Sequence, residues 1–236
     1  MTVSAAQYVF SPPARVCAPV AGTGTVFPIH RIYCVGQNYR EHTREMGGSL
    51  REPPFFFSKP ADAACFEPVV PFPPLTENLH HEVELVVALG SGGVNIKPEN
   101  ALDLVYGYAV GVDLTRRDLQ AGAKKLGRPW TTAKGFDRSA PLSAIRPVGG
   151  GGHPANASIA LRVNDEQRQS GNINQMTWSV AEIIAGLSGY FELHAGDLIF
   201  TGTPSGVGRL QAGDRVSCEI ENVGTLDFLV AEANGK

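Results

Sequence analysis

Basic residues are not in surplus: Lys and Arg number 20 against 23 Asp and Glu, a formal net charge of −3. With no cationic excess to neutralise phosphates, non-specific nucleic-acid binding is excluded. Cysteine is scarce. Cys17, Cys34, Cys65 and Cys218 are widely spread and form no CxxC pair. That spread argues against a disulfide framework and against a zinc knuckle, and it suits free thiols in a reducing cytoplasm. Long apolar runs are missing as well. The longest charge-free stretches are 15 residues, 16–30 and 147–161, and both contain Gly, Pro and His. A spanning helix needs roughly 18 or more apolar residues, so no membrane segment is expected. The N-terminus also lacks the basic start and apolar run of a signal peptide.

What is present suits a compact, loop-rich enzyme. The 236 residues are 43% hydrophobic and only 18% charged, with 27 Gly and 17 Pro. This is enough apolar material for a real core, and the glycines favour tight turns over a helical bundle. Residues 1–30 read as a short extended attachment, and 31–236 as the main domain. "RIYCVG" is β-prone. "NYREHTREMGG" predicts a short helix capped by Asn38, with Glu41 three residues on and Gly47 as its stop. "FFFSK" reads as a strand in a Pro-rich window, and "HHEVELVVALG" and "VYGYAVGVDL" are further strands. "TRRDLQAGAKKLG" reads as a helix stopped by Gly127. "IALRVNDEQRQSG" predicts a hairpin turning at Asn164-Asp165. "SVAEIIAGLSGYFEL" predicts an amphipathic helix with Val180, Ile183, Ile184 and Leu187 on one face. "DRVSCEIENVGTLDFLV" predicts a closing hairpin. Strands and helices mix without a strict βαβ rhythm, which predicts an α+β fold dominated by strands.

Glu82 and Glu84 are the most informative pair. In a strand they point to one face, and two adjacent carboxylates among Val83, Leu85, Val86 and Val87 need positive compensation. A hard divalent cation, Mg²⁺, Mn²⁺ or Ca²⁺, suits an oxygen-only ligand set. A solvated strand face with a salt bridge is the plainer alternative. Asp113 ends an apolar strand, where it reaches the same pocket, caps the following helix, or does both. His42 and Glu45 share a helix face, as a general base and its orienting carboxylate do, or they are surface decoration. Lys134, near Trp130 and Phe136, either stabilises an oxyanion or sits on a surface turn. "TGTPSGVG" lacks the Gly-Lys-Ser/Thr ending of a nucleotide loop. It is either a tight turn or a loop whose N–H groups and Thr203 hold a carboxylate.

Six stretches, "YCVGQNYREHTREMG", "FFFSKPADA", "LHHEVELVV", "GYAVGVDLTRRDLQ", "GRPWTTAKGFD" and "GDLIFTGTPSGVG", together resemble the fumarylacetoacetate hydrolase family from about Arg31 to the C-terminus. The likeness is greatest to its bacterial fumarylpyruvate hydrolases and acylpyruvases. It implies a mixed β-sandwich roll, a homodimer, and a site dependent on Mg²⁺ or Mn²⁺, with Ca²⁺ as a substitute. By motif, the metal carboxylates fall on Glu82, Glu84 and Asp113, the water-activating dyad on His42 and Glu45, and the pocket lysine on Lys134. Arg117, Gln120 and Thr203 match substrate-contacting positions. Gln37 stands where related acylpyruvases often carry Arg. The implied reaction is hydrolytic C–C cleavage of a 2,4-dioxo acid, with fumarylpyruvate giving fumarate and pyruvate. Decarboxylation of oxaloacetate and isomerisation of hydroxymuconate-type diacids are alternatives within the family. A calcium-stabilised, non-catalytic binding module is the alternative outside it.

Overall fold

The computed structural model describes residues 8–39 and 52–232. In chain order its strands are β1 (Cys17–Pro19), β2 (Val26–Pro28), β3 (Ile32–Gly36), β4 (Phe55–Lys59), β5 (Ala64–Cys65), β6 (Val69–Pro71), β7 (Leu79–His81), β8 (Val83–Leu89) and β9 (Val105–Val112). There follow β10 (Thr115–Arg116), β11 (Ala140–Pro141), β12 (Arg146–Pro147), β13 (Ser158–Val163), β14 (Glu166–Asn172), β15 (Leu198–Phe200), β16 (Gly208–Leu210), β17 (Arg215–Ile220) and β18 (Gly224–Ala231). The α-helices are α1 (Pro98–Ala101), α2 (Arg117–Lys125), α3 (Thr131–Lys134) and α4 (Val180–Ser188). The fold is strand-dominated and mixed, as the sequence predicts, and the described strands close no barrel.

Two sheets carry the architecture. A six-stranded sheet runs β12-β9-β8-β15-β3-β4. All its neighbours are antiparallel except β15 and β3. It is buried on both faces. Along β8, Val83, Leu85, Val87 and Leu89 enter one core while Val86 and Ala88 enter another. The first core is shared with α4 and with the five-stranded sheet β14-β13-β17-β18-β6. The second includes Ala18, Val20, Phe27 and Ile29 from the β1–β2 region, within the stretch read as an extended attachment. A third, small sheet, β10-β7-β16, flanks the site described below.

Local chemistry explains the elements that the sequence marked. The β13–β14 hairpin turns at Asn164 and Asp165, whose φ values are +50° and +67°. Asn and Asp tolerate this left-handed backbone, which a two-residue hairpin turn requires. Ser179 and Glu182 form a capping box at the start of α4, and Val180, Ile183, Ile184 and Leu187 are its buried apolar residues. β17 and β18 form the closing hairpin. All four cysteines are free thiols. One expected strand is not continuous: "HHEVELVV" breaks at Glu82, which lies between β7 and β8. No described helix is long and apolar enough to cross a membrane.

Candidate active site

The ends of β8 and β9 assemble three carboxylates. The two strands pair antiparallel, with Val83 opposite Val112 and Glu84 opposite Gly111. Asp113, just past β9, donates its backbone N–H to the carbonyl of Glu82 at 2.8 Å, just ahead of β8. Glu82, Glu84 and Asp113 thus meet at one end of the sheet, all buried, each with a ligand atom within 4.8 Å of the others. Burial removes the alternative of a solvated strand face. Asp113 is also not a helix cap, because α2 begins four residues later with Arg116 at its N-cap position. Gly111 is needed for this packing. A Cβ there would lie 2.6 Å from Val86 Cγ2 and 2.7 Å from Phe200 Cε1.

The charges are crowded and only partly matched. Lys134 is buried at the end of α3, not on a surface turn, and its Nζ lies 2.8 Å from Glu82 Oε2 and 2.6 Å from Asp113 Oδ2. Burial works against the ammonium, but Asp113 and Glu82 outweigh it and hold the Lys134 pKa above the ordinary lysine value. Arg117 forms an ion pair with Glu82. Lys59 Nζ stands 2.8 Å from Asp113 Oδ1 but out of hydrogen-bond alignment, so that buried oxygen has no aligned donor. Among the described residues, Glu84 has no cationic partner within ion-pair distance, and its Oε2 accepts the Gly202 N–H at 2.6 Å. Burial, then Asp113 and Glu82, push the Glu84 carboxyl well above the ordinary range. An oxygen-only set with one uncompensated carboxylate and one unaligned carboxylate oxygen fits a hard divalent ion. Glu82, Glu84 and Asp113 are the residues that would hold it.

The remaining expected residues divide. Arg117, Gln120, Lys134 and Thr203 line the same pocket as the triad, with Phe55, Phe57 and Trp130 among its walls. Arg117 is already engaged: NH1 donates to Gln120 Oε1 at 2.6 Å and Nε to His80 Nδ1 at 3.3 Å. Thr203 Oγ1 donates to the Val83 carbonyl at 2.7 Å. The loop after β15 does hold a carboxylate, but it is the protein's own Glu84. Gly202 has φ +97°, and a Cβ there would lie 2.7 Å from Asn38 Cβ. His42 and Glu45 lie outside the described residues, as does most of the helix expected around them. The helix that Asn38 is expected to cap lies outside the described residues, but other partners of the Asn38 side chain are in view. Its Oδ1 accepts the Trp178 N–H at 2.8 Å, and its Nδ2 donates to the carbonyls of Thr201 and Trp178 at 2.8 and 3.0 Å. Tyr39 bridges to Met176, so this stretch is extended and Asn38 joins the site loop to its neighbour.

Three residues around the site had no distinct signal in the sequence. Lys59, at the end of "FFFSK", is a buried cation beside Asp113. His80 supports Arg117, and burial followed by the charge of Arg117 pushes its pKa down to about 4, so it is neutral. Gln169 is a buried hub. Its Oε1 accepts from His81 Nδ1 and the Val83 N–H, and its Nε2 donates to Thr203 Oγ1 and the Pro204 carbonyl. Gln169 lies in a polar hairpin strand among similar residues, and only the fold shows where it points.

Residues 31–231 match the family model described as fumarylacetoacetate (FAA) hydrolase C-terminal. A fumarylpyruvate hydrolase from a Ralstonia species is 43% identical over 183 residues, covering 77% of this chain and 95% of that protein. An oxaloacetate tautomerase of Escherichia coli strain K12 is 42% identical over 193 residues, covering 81% of this chain and 88% of that protein. The crystal structure of a Pseudomonas aeruginosa fumarylpyruvate hydrolase in complex with Mn²⁺ and pyruvate superposes with a TM-score of 0.93 at 47% identity. The superposition covers 96% of this chain and 100% of that one.

Proposed function

The chain belongs to the fumarylacetoacetate hydrolase family, and on that premise we propose that it hydrolyses a 2,4-dioxo acid, converting fumarylpyruvate and water to fumarate and pyruvate. The observation that carries this reading is the buried carboxylate triad at an aromatic-walled pocket that also contains Lys134. The likeness to a fumarylpyruvate hydrolase that holds Mn²⁺ and pyruvate supports the substrate class. Bound by Glu82, Glu84 and Asp113, Mg²⁺ or Mn²⁺ supplies Lewis-acid stabilisation of negative charge on the substrate.

The protein's own groups do the rest. His42, oriented by Glu45, takes a proton from water, and the oxygen of that water attacks the 4-carbonyl carbon. Lys134 donates to the oxyanion that develops there. The bond between C3 and C4 breaks and its electron pair stays on the three-carbon fragment, which becomes pyruvate when C3 is protonated. The acyl fragment leaves as a carboxylate. Arg117, Gln120 and Thr203 position the substrate.

A second reading, keto–enol interconversion of oxaloacetate, is favoured by the likeness to the Escherichia coli tautomerase. The two are separated by assaying fumarylpyruvate, acetylpyruvate, maleylpyruvate and oxaloacetate with Mg²⁺ or Mn²⁺. Pyruvate release from an acylpyruvate is expected. Interconversion of oxaloacetate tautomers with no pyruvate release from any acylpyruvate would replace hydrolysis with the second reading. Inactivity on the whole panel would remove both.

A further inference from the structure

Successive contacts link Lys134, Phe57, Trp130 and Lys124 as a row of neighbours lining the pocket. Lys134 Nζ is 5.2 Å from the Phe57 ring centre, the Phe57 and Trp130 rings are 5.8 Å apart, and Lys124 Nζ is 5.1 Å from the Trp130 ring centre. Phe55 packs edge-on against the same indole at 5.4 Å. Aromatic surface between two cations suits a flat, conjugated chain with negative charge at each end.

The cations in this row are not equivalent. Lys134 and Arg117 are engaged by Glu82, and Lys134 also by Asp113. Lys124 lines the pocket too, yet no described acidic side chain lies within ion-pair distance of it. Its neighbour Lys125 is on the same last turn of α2 but does not line the pocket. We propose that Lys124, backed by Trp130, is a specificity-determining residue that receives the distal carboxylate of the substrate, so that this site selects unsaturated diacids. The inference rests on the acylpyruvate reading, because that reading places the dioxo end of the substrate at the triad. Burial and the nearby charge of Arg117 hold the Lys124 pKa below the ordinary lysine value. A second substrate carboxylate offsets that cost.

Two assays on the Mn²⁺-loaded protein test the assignment. In the first, fumarylpyruvate is compared with acetylpyruvate, which lacks the distal carboxylate. Lys124→Gln should reduce kcat/KM for fumarylpyruvate roughly 10- to 100-fold more than for acetylpyruvate, the range for losing one charge-assisted hydrogen bond. Lys124→Arg should retain most of the preference, and Lys125→Gln should leave both substrates as in the wild type. In the second, calorimetric titration compares fumarate with crotonate, which differ by one carboxylate. Lys124→Gln should weaken fumarate about tenfold more than crotonate. Equal losses on both members of a pair, or the same discrimination lost in Lys125→Gln, would overturn the role of Lys124. If the wild-type protein hydrolyses no acylpyruvate, the functional reading fails, and the fumarate–crotonate comparison still decides the diacid site.

Discussion

The five-stranded sheet and the six-stranded sheet solve different problems. The first is half wet. Along β13 and β17, buried Ile159, Leu161, Val163, Val216, Cys218 and Ile220 alternate with more exposed neighbours such as Arg162 and Glu219. The second is buried on both faces and still contains Glu84, with Glu82, Asp113, Lys59 and Lys134 clustered at its end. Charge in the first sheet stays in water and has little structural consequence. Charge in the second is desolvated, so each group depends on its partners and removing one leaves another exposed to the full cost. The lesson is that in this fold a carboxylate's role is set by the number of faces its sheet buries.

The largest test of that contrast is Glu84→Gln, which keeps the shape but removes a negative charge. It should lower turnover by about 100-fold or more, since even partners beyond the ligands themselves typically contribute roughly 10- to 100-fold at a metal centre. Mn²⁺ affinity, measured by calorimetry, should fall with it. Wild-type turnover that survives thorough chelation would remove the metal role altogether. His42→Ala should cost acylpyruvate hydrolysis on the order of 100- to 10,000-fold. Any reaction of oxaloacetate that needs no attacking water should suffer much less. Equal losses would make His42 a structural or binding residue.

The other sheet should break differently. Leu161→Ala removes a buried side chain next to no catalytic group, and should cost about 2–5 kcal/mol in denaturant unfolding while the folded fraction keeps its activity. The pH response sharpens the contrast further. The raised Glu84 pKa means that the metal-free native state binds more protons than the unfolded chain above the ordinary carboxylate range, so stability falls as pH rises. His80 has the opposite sign, because its pKa is lowered from 6.5 to about 4, and stability from that group rises across this window. His81, whose pKa burial also lowers, has the same sign as His80, so the Glu84 contribution is isolated by comparison with Glu84→Gln. With a chelator, the wild-type minus Glu84→Gln difference in melting temperature should shrink as pH rises above the ordinary carboxylate range, and Mg²⁺ or Mn²⁺, whose binding requires ionised carboxylates, should remove most of that slope. A flat metal-free profile would contradict the burial argument. Smallest of all, Glu219→Gln on the wet face should change stability by no more than about 0.5 kcal/mol.

The sequence is legible where one face of an element is wet. Asn164-Asp165 announces its turn, and Val180, Ile183, Ile184 and Leu187 announce α4, because alternation or helical spacing records which side meets water. The triad is legible for the opposite reason: Glu82 and Glu84 are anomalous in an apolar run. The groups that answer them are not anomalous locally. Lys59 ends a strand that could as well reach solvent, and His80 sits beside another histidine. Gln169 lies in a strand with Glu166, Gln167 and Arg168 and differs only in the direction it faces. Asn38 shows the limit clearly. A good cap residue before a helical pattern predicts a cap, but nothing local announces the two carbonyls and the N–H from distant segments that its side chain also meets.

The position of β15 has a consequence for how the enzyme comes into being. Its three residues, Leu198–Phe200, lie between β8 and β3, parallel to a strand that left the ribosome more than 160 residues earlier. Until β15 has been synthesised and inserted, β3 and β8 each present an open edge to solvent or to other chains. Such a non-local pairing forms late, after a long loop has been closed. Gly202 lies two residues past its end, and it supplies the N–H that Glu84 accepts. The carboxylates therefore remain hydrated through most of translation and lose water only as the central strand arrives. A nascent chain stalled before this point holds the acidic triad in its sequence but has no closed site, and truncated forms ending before residue 200 should be aggregation-prone and lack the buried carboxylate cluster.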